Sequence, residues 1–157
     1  MKRLDVKITD GNPVRIALAG RIDEGARLGD LVGTIPPGPV AIDTAGITFV
    51  NSVGMRDWIR FLRALRDRGQ PTLERVADVL VTQMNLLGEV RGTLKIVSFH
   101  AQYVCNACGF EDTPLIDAVA NAAGLAAMQP PAVPCKECES PMELADFPER
   151  YLSIFQP

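Results

Sequence analysis

Four cysteines, Cys105, Cys108, Cys135 and Cys138, are the only ones in the chain, and they stand as C-x2-C-x26-C-x2-C. Two residues between cysteines let a tight turn aim both thiolates at one cation while backbone amides hydrogen-bond the sulfurs. Two such turns brought together give tetrahedral S4 coordination, which suits Zn²⁺ and closes the site to substrate. Gly109 supplies the left-handed residue that such a turn commonly uses. A rubredoxin-like iron site uses the same geometry, and the spacing separates it poorly from zinc. Disulfides are disfavoured in a reducing cytosol, and a redox CxxC pair would leave the second pair unexplained. The expectation is one structural zinc per chain.

The pattern looks like a zinc ribbon. Glu139 is a mild departure, standing where a glycine might follow the second pair. Many ribbons bind nucleic acid, but charge argues against it here. Residues 100–157 hold 2 Lys+Arg and 8 Asp+Glu, a balance of −6, whereas residues 1–99 carry +3. Four thiolates around a dication take the second part to about −8, a surface that repels a phosphate backbone. The charge shift, the cysteines and the single histidine, His100, all point to a boundary near residue 100. The expected organisation is therefore 1–99 and 100–157.

The first part reads as α/β. Residues 4–8 and 14–18 alternate apolar and polar around the turn Asp10-Gly11-Asn12-Pro13, a hairpin that Gly20 ends. Residues 23–32 read as a short helix broken by Pro36-Pro37-Gly38-Pro39, and 40–43 as a buried strand. Met55, Trp58, Ile59, Leu62 and Leu65 make one face of a helix over 55–68, with Gly69 after its end. Arg56, Arg60 and Arg63 lie on another face, and Asn51 and Ser52 sit where their side chains can cap the first turn. Residues 72–76 read as a strand, 77–87 as a helix and 94–99 as a strand running toward Val104; an Ala-rich helix follows over 114–128. The order gives an α/β sandwich with a mixed sheet and helices packed on it. Met142-Glu143-Leu144 and the apolar 151–155 add a strand and a terminal anchor.

Gly20-Arg21-Ile22-Asp23, Val40-Ala41-Ile42-Asp43 and Val50-Asn51-Ser52-Val53-Gly54-Met55 resemble the STAS domain of bacterial anti-sigma-factor antagonists and sulfate transporters, across roughly residues 4–99. The last of these is similar to the family's Asp-Ser-Ser-Gly-Leu signature, with Asn51 in place of the aspartate and Val53 in place of the second serine. The resemblance implies a non-enzymatic signalling adaptor, and the opening Met1–Asp5, without the apolar stretch of an export signal, a cytoplasmic one. Its loop Asn51–Gly54 and the arginine-bearing helix would meet a protein partner such as an anti-sigma-type serine kinase, with Ser52 as the phosphorylated position. Phosphate there would lie at a helix N-terminus near Arg56. The plainer readings are that Ser52 only caps the helix and that the arginines are a solvated face.

The remaining function classes have little to carry them. No nucleophile–base pair, G-x-x-x-x-G-K-[ST] loop or G-x-G-x-x-G occurs, so catalysis is not expected. No run of eighteen apolar residues occurs, and the opening Met1-Lys2-Arg3-Leu4-Asp5 lacks the apolar stretch of an export signal. A scaffold subunit without a phospho-switch and a rubredoxin-like electron carrier are the alternatives, and the 26-residue insertion leaves room for a homo-oligomeric contact.

Overall fold

In the computed structural model, which describes residues 4–87 and 94–156, β1 (Asp5–Thr9) and β2 (Val14–Ile22) form an antiparallel hairpin. Met1–Arg3, part of the segment read for an export signal, lie outside the described residues. Strand β3 (Val40–Val50) runs parallel to β2, followed outward by β4 (Thr72–Glu74) and β5 (Lys95–Ile96), both parallel. The resulting five-stranded mixed sheet has the order β1-β2-β3-β4-β5. Along β2, Val14, Ile16 and Leu18 are buried while Arg15 and Ala17 are exposed, so helices cover one face and water the other.

Helix α1 (Ser52–Arg66) turns Met55, Trp58, Ile59, Phe61, Leu62 and Leu65 into the core. Trp58 and Phe61 are fully buried, each contributing roughly 2–3 kcal/mol by removal from water. Trp58 Nε1 donates to the Met84 sulfur at 3.5 Å, tying α1 to α2 (Asp78–Asn85).

The structure departs from the sequence reading in five places. Gly20 does not end β2: it takes φ +109° beside a register shift, and the strand continues to Ile22. Strand β3 likewise runs on from Asp43 to Val50, because Gly46 lets it pass β2; a Cβ there would lie 2.6 Å from that of Ala19. The helix expected over 23–32 is instead a 3-10 segment, Leu28–Thr34. Asp23 spends its carboxylate on a turn at Gly25 N, and the Leu28 amide donates to Asp57 of α1 at 2.7 Å.

The Ala-rich helix expected over 114–128 is also divided. Residues Leu115–Asp117 form β9, which pairs antiparallel with β6 (Ser98–His100). Asp117 then accepts the Val119 and Ala120 amides at 2.9 Å, stopping the strand, and only Ala122–Ala126 is helical (α3). β-Pairing with the sheet-side segment overrides the helical preference of alanine.

The stretch 94–104 is not one strand but three. After β5 the chain breaks at Val97, joins β9 through β6, and enters β7 (Tyr103–Val104). Strands β7, β8 (Glu111–Asp112), β10 (Val133–Pro134) and β11 (Pro141–Leu144) form a second, four-stranded sheet of order β10-β11-β7-β8.

Helix α2 binds the chain's last segment at both of its ends. At the start, Asp78 accepts from the Tyr151 hydroxyl of α4 (Pro148–Tyr151) and, at 2.9 Å, from Gln102. At the far end, the Asn85 side chain donates to the Tyr151 carbonyl at 2.6 Å and accepts from the Ser153 hydroxyl and Ile154 amide at 2.8 and 3.0 Å. Phe99 and Phe155 pack with centroids 4.9 Å apart. One continuous apolar core thus runs from Val14 to Ile154 and includes Cys105 and Cys135.

Candidate metal centre and the N-terminus of helix α1

Two hairpins build the cysteine site. Strands β7 and β8 flank Cys105–Phe110, and β10 and β11 flank Cys135–Ser140; β11 pairs with β7 and brings the two turns together. Each turn closes the same way. Cys105 N donates to Phe110 O at 2.8 Å and Gly109 N to Cys105 O at 2.7 Å; Cys135 N donates to Ser140 O at 2.8 Å and Glu139 N to Cys135 O at 2.9 Å. Gly109 and Glu139 occupy equivalent left-handed positions, φ +81° and +67°. Glu139, the departure from the expected glycine, therefore adopts the glycine conformation at a cost of roughly 1 kcal/mol.

All four Sγ atoms lie within 4.8 Å of one another. Cys105 and Cys138 sulfurs are 3.5 Å apart, and those of Cys108 and Cys135 3.7 Å. A disulfide needs about 2.05 Å. Thiolates held about 2.3 Å from a central ion form a tetrahedron of edge about 3.8 Å, so this cluster fits a tetrathiolate metal. Cys105 and Cys135 are buried, Cys108 and Cys138 exposed. The Ser140 hydroxyl and amide, with Cys105 and Cys108 beside them, lower the Cys138 thiol to about 6. At Cys108 the Phe110 amide works in the same direction, but desolvation and the other three sulfurs outweigh it and push the thiol up to about 12. A cation binding the cluster displaces whatever protons the thiols still carry. His100 is not part of the cluster; its Nδ1 faces the Thr113 carbonyl at 3.0 Å.

The residues singled out around α1 separate into different roles. Asn51, not Ser52, is the cap: its Oδ1 accepts the Gly54 amide at 2.8 Å while its Nδ2 donates to Glu24 at 2.8 Å. That pairing, with the residue's own backbone amide and the Arg21 charge, holds the Glu24 carboxyl below its usual range. Ser52 is left exposed in the first turn, its hydroxyl without a hydrogen-bond partner among the described residues. Gly54 is buried, and a Cβ there would lie 1.9 Å from the Ile22 carbonyl oxygen. It serves close packing of α1 on β2 rather than presenting a surface. Arg56, Arg60 and Arg63 are exposed and, with Ser52, line a groove of about 430 Å³ between α1 and α2. Its apolar lining joins Met55 and Ile59, from the helix face the sequence indicated, to Leu86 and Leu87, which the sequence placed inside a helix over 77–87 and the structure places beyond the end of α2 at Asn85.

Among the described residues, no helix is long and apolar enough to cross a membrane. No protein-family model matches the chain, and no curated protein matches it at a significant level.

Proposed function

We propose that the chain is a non-enzymatic signalling adaptor, a STAS-like α/β domain carrying a structural zinc ribbon. The observation that carries the reading is the division of labour at the start of α1. Asn51 takes the capping role, which leaves the Ser52 hydroxyl exposed, and without a partner among the described residues, beside an arginine-lined groove. Phosphate on Ser52 would bring nearly two negative charges to the positive end of a fifteen-residue helix and into the reach of Arg56. A protein partner of the anti-sigma kinase type, contacting the groove by complementary charge, would lose that contact on phosphorylation.

Zinc is the metal of this reading. Cys105, Cys108, Cys135 and Cys138 would hold it, and its chemistry would be structural, since four thiolates leave no coordination position for substrate. An affinity capture comparing wild type with Ser52→Asp tests the switch. A kinase-like protein retained by wild type and lost by Ser52→Asp is the expected result; equal retention would leave Ser52 without a switching role.

A further inference from the structure

We propose that the groove between α1 and α2 also receives a second copy of this chain, which fills it with the exposed Phe147 and its neighbouring carboxylates. The inference goes beyond the Ser52 reading and does not depend on it. The groove has an apolar floor that includes Met55, Ile59 and a Leu86 that is 68% exposed. Arg56 and Arg60 stand along it at one-turn spacing, with no ion pair among the described residues. A site of this kind, apolar below and cationic at the rim, fits an apolar anchor carrying acidic flanks.

The chain carries such an anchor elsewhere. Phe147 is also 68% exposed, the largest apolar side chain so open among the described residues; it stands between Asp146 and Glu149, with the Arg150 guanidinium 5.9 Å from its ring centroid. Glu149 forms no ion pair among the described residues, and the Asp146 carboxylate accepts only the Phe147 amide, at 2.7 Å. Phe147 is the residue preceding α4, and Tyr151 of that helix is fixed to Asp78 and Asn85 of α2, so the ring is presented from an anchored base. Phe147 does not line its own chain's groove. A copy in trans can supply it, with the ring against the stem of Arg56 or Arg60 and the carboxylates of Asp146 and Glu149 toward their guanidinium heads.

The charge of the two parts, +3 in residues 1–99 and −6 in 100–157, favours the approach of each copy's second part to the other's first. Each copy carries both halves of the contact, so two copies related by a two-fold axis make it twice and close the assembly as a dimer.

Sedimentation velocity of the full-length, metal-loaded chain tests this from low to high micromolar concentration. The average mass is expected to rise with concentration from 17.0 kDa toward twice that value, and less steeply at high salt. Phe147→Ser and, separately, Arg56→Glu/Arg60→Glu should each weaken association about tenfold or more, with unchanged circular dichroism. All three positions are exposed, so the fold does not depend on them. A wild type that stays monomeric throughout, or an association that survives both substitutions, overturns the proposal. In the monomeric case the groove is left to a different protein.

Discussion

The two sheets of this molecule are held together by different physics. The five-stranded sheet has an eleven-residue central strand, a fifteen-residue helix laid across it, and a core of large apolar side chains. The four-stranded sheet consists of strands two to four residues long. Its buried side chains are few, and two of them, Cys105 and Cys135, belong to the sulfur cluster. Burial is enough for the first, whereas a structure as small as the second depends on a cross-link, a metal or a neighbour. Here the four-thiol cluster offers a metal site at one end, and Gln102, just before β7, is held by Asp78 of α2.

The largest effect that would break this contrast is loss of the metal-binding set. Cys135→Ser, or a strong chelator, should unfold the β7–β11 region while leaving the five-stranded sheet in place. Binding energies of structural zinc sites are on the order of 10 kcal/mol, far above what these short strands can replace. Amide hydrogen exchange should then rise in 103–112 and 133–144 and remain slow in β2, β3 and α1. Uniform loss of protection would mean that the two regions fold as one unit.

The converse is Gly54→Ala. Its Cβ would strike the Ile22 carbonyl at 1.9 Å, and neither backbone can move without lifting α1 from β2. A loss of about 3 kcal/mol or more is expected in thermal or denaturant unfolding, with metal content unchanged. Between the two regions stands Asn85, which serves a carbonyl, an amide and a hydroxyl of the terminal segment. Asn85→Ala strands those groups at a cost of roughly 2 kcal/mol and should free residues 151–156 to exchange, with protection of α1 intact. The smallest effect belongs to Glu139→Gly. Relieving a left-handed residue at φ +67° should stabilise the metal-bound form by about 1 kcal/mol, read as tighter metal retention against a competing chelator.

The sequence announced these regions unequally. Apolar periodicity placed the hairpin and α1 because burial on one face imposes that period, and the cysteine spacing placed all four sulfurs in one cluster. Local signals failed where a distant chain decided the outcome. Gly20 looked like a strand end but carries a register shift at φ +109°, the strand read as ending at Asp43 runs on because Gly46 lets it pass β2, and Leu115–Asp117 looked helical but pairs with β6. The floor of the groove combines α1 with residues at and beyond the end of α2, so neither helix's own pattern could reveal it. Asn51 and Ser52 were equal as caps on propensity; the amide geometry chose Asn51, with Glu24 holding its far side.

Metal analysis of the full-length chain, purified without added metal and followed by chelation, tests the central claim most directly. The proposal predicts one zinc per chain, and chelation should raise hydrogen exchange in the β7–β11 region alone. A stoichiometric iron content with visible thiolate-to-metal absorption would contradict the structural-zinc assignment. A metal-free chain in which this region stays protected would contradict the dependence of the second sheet on a metal.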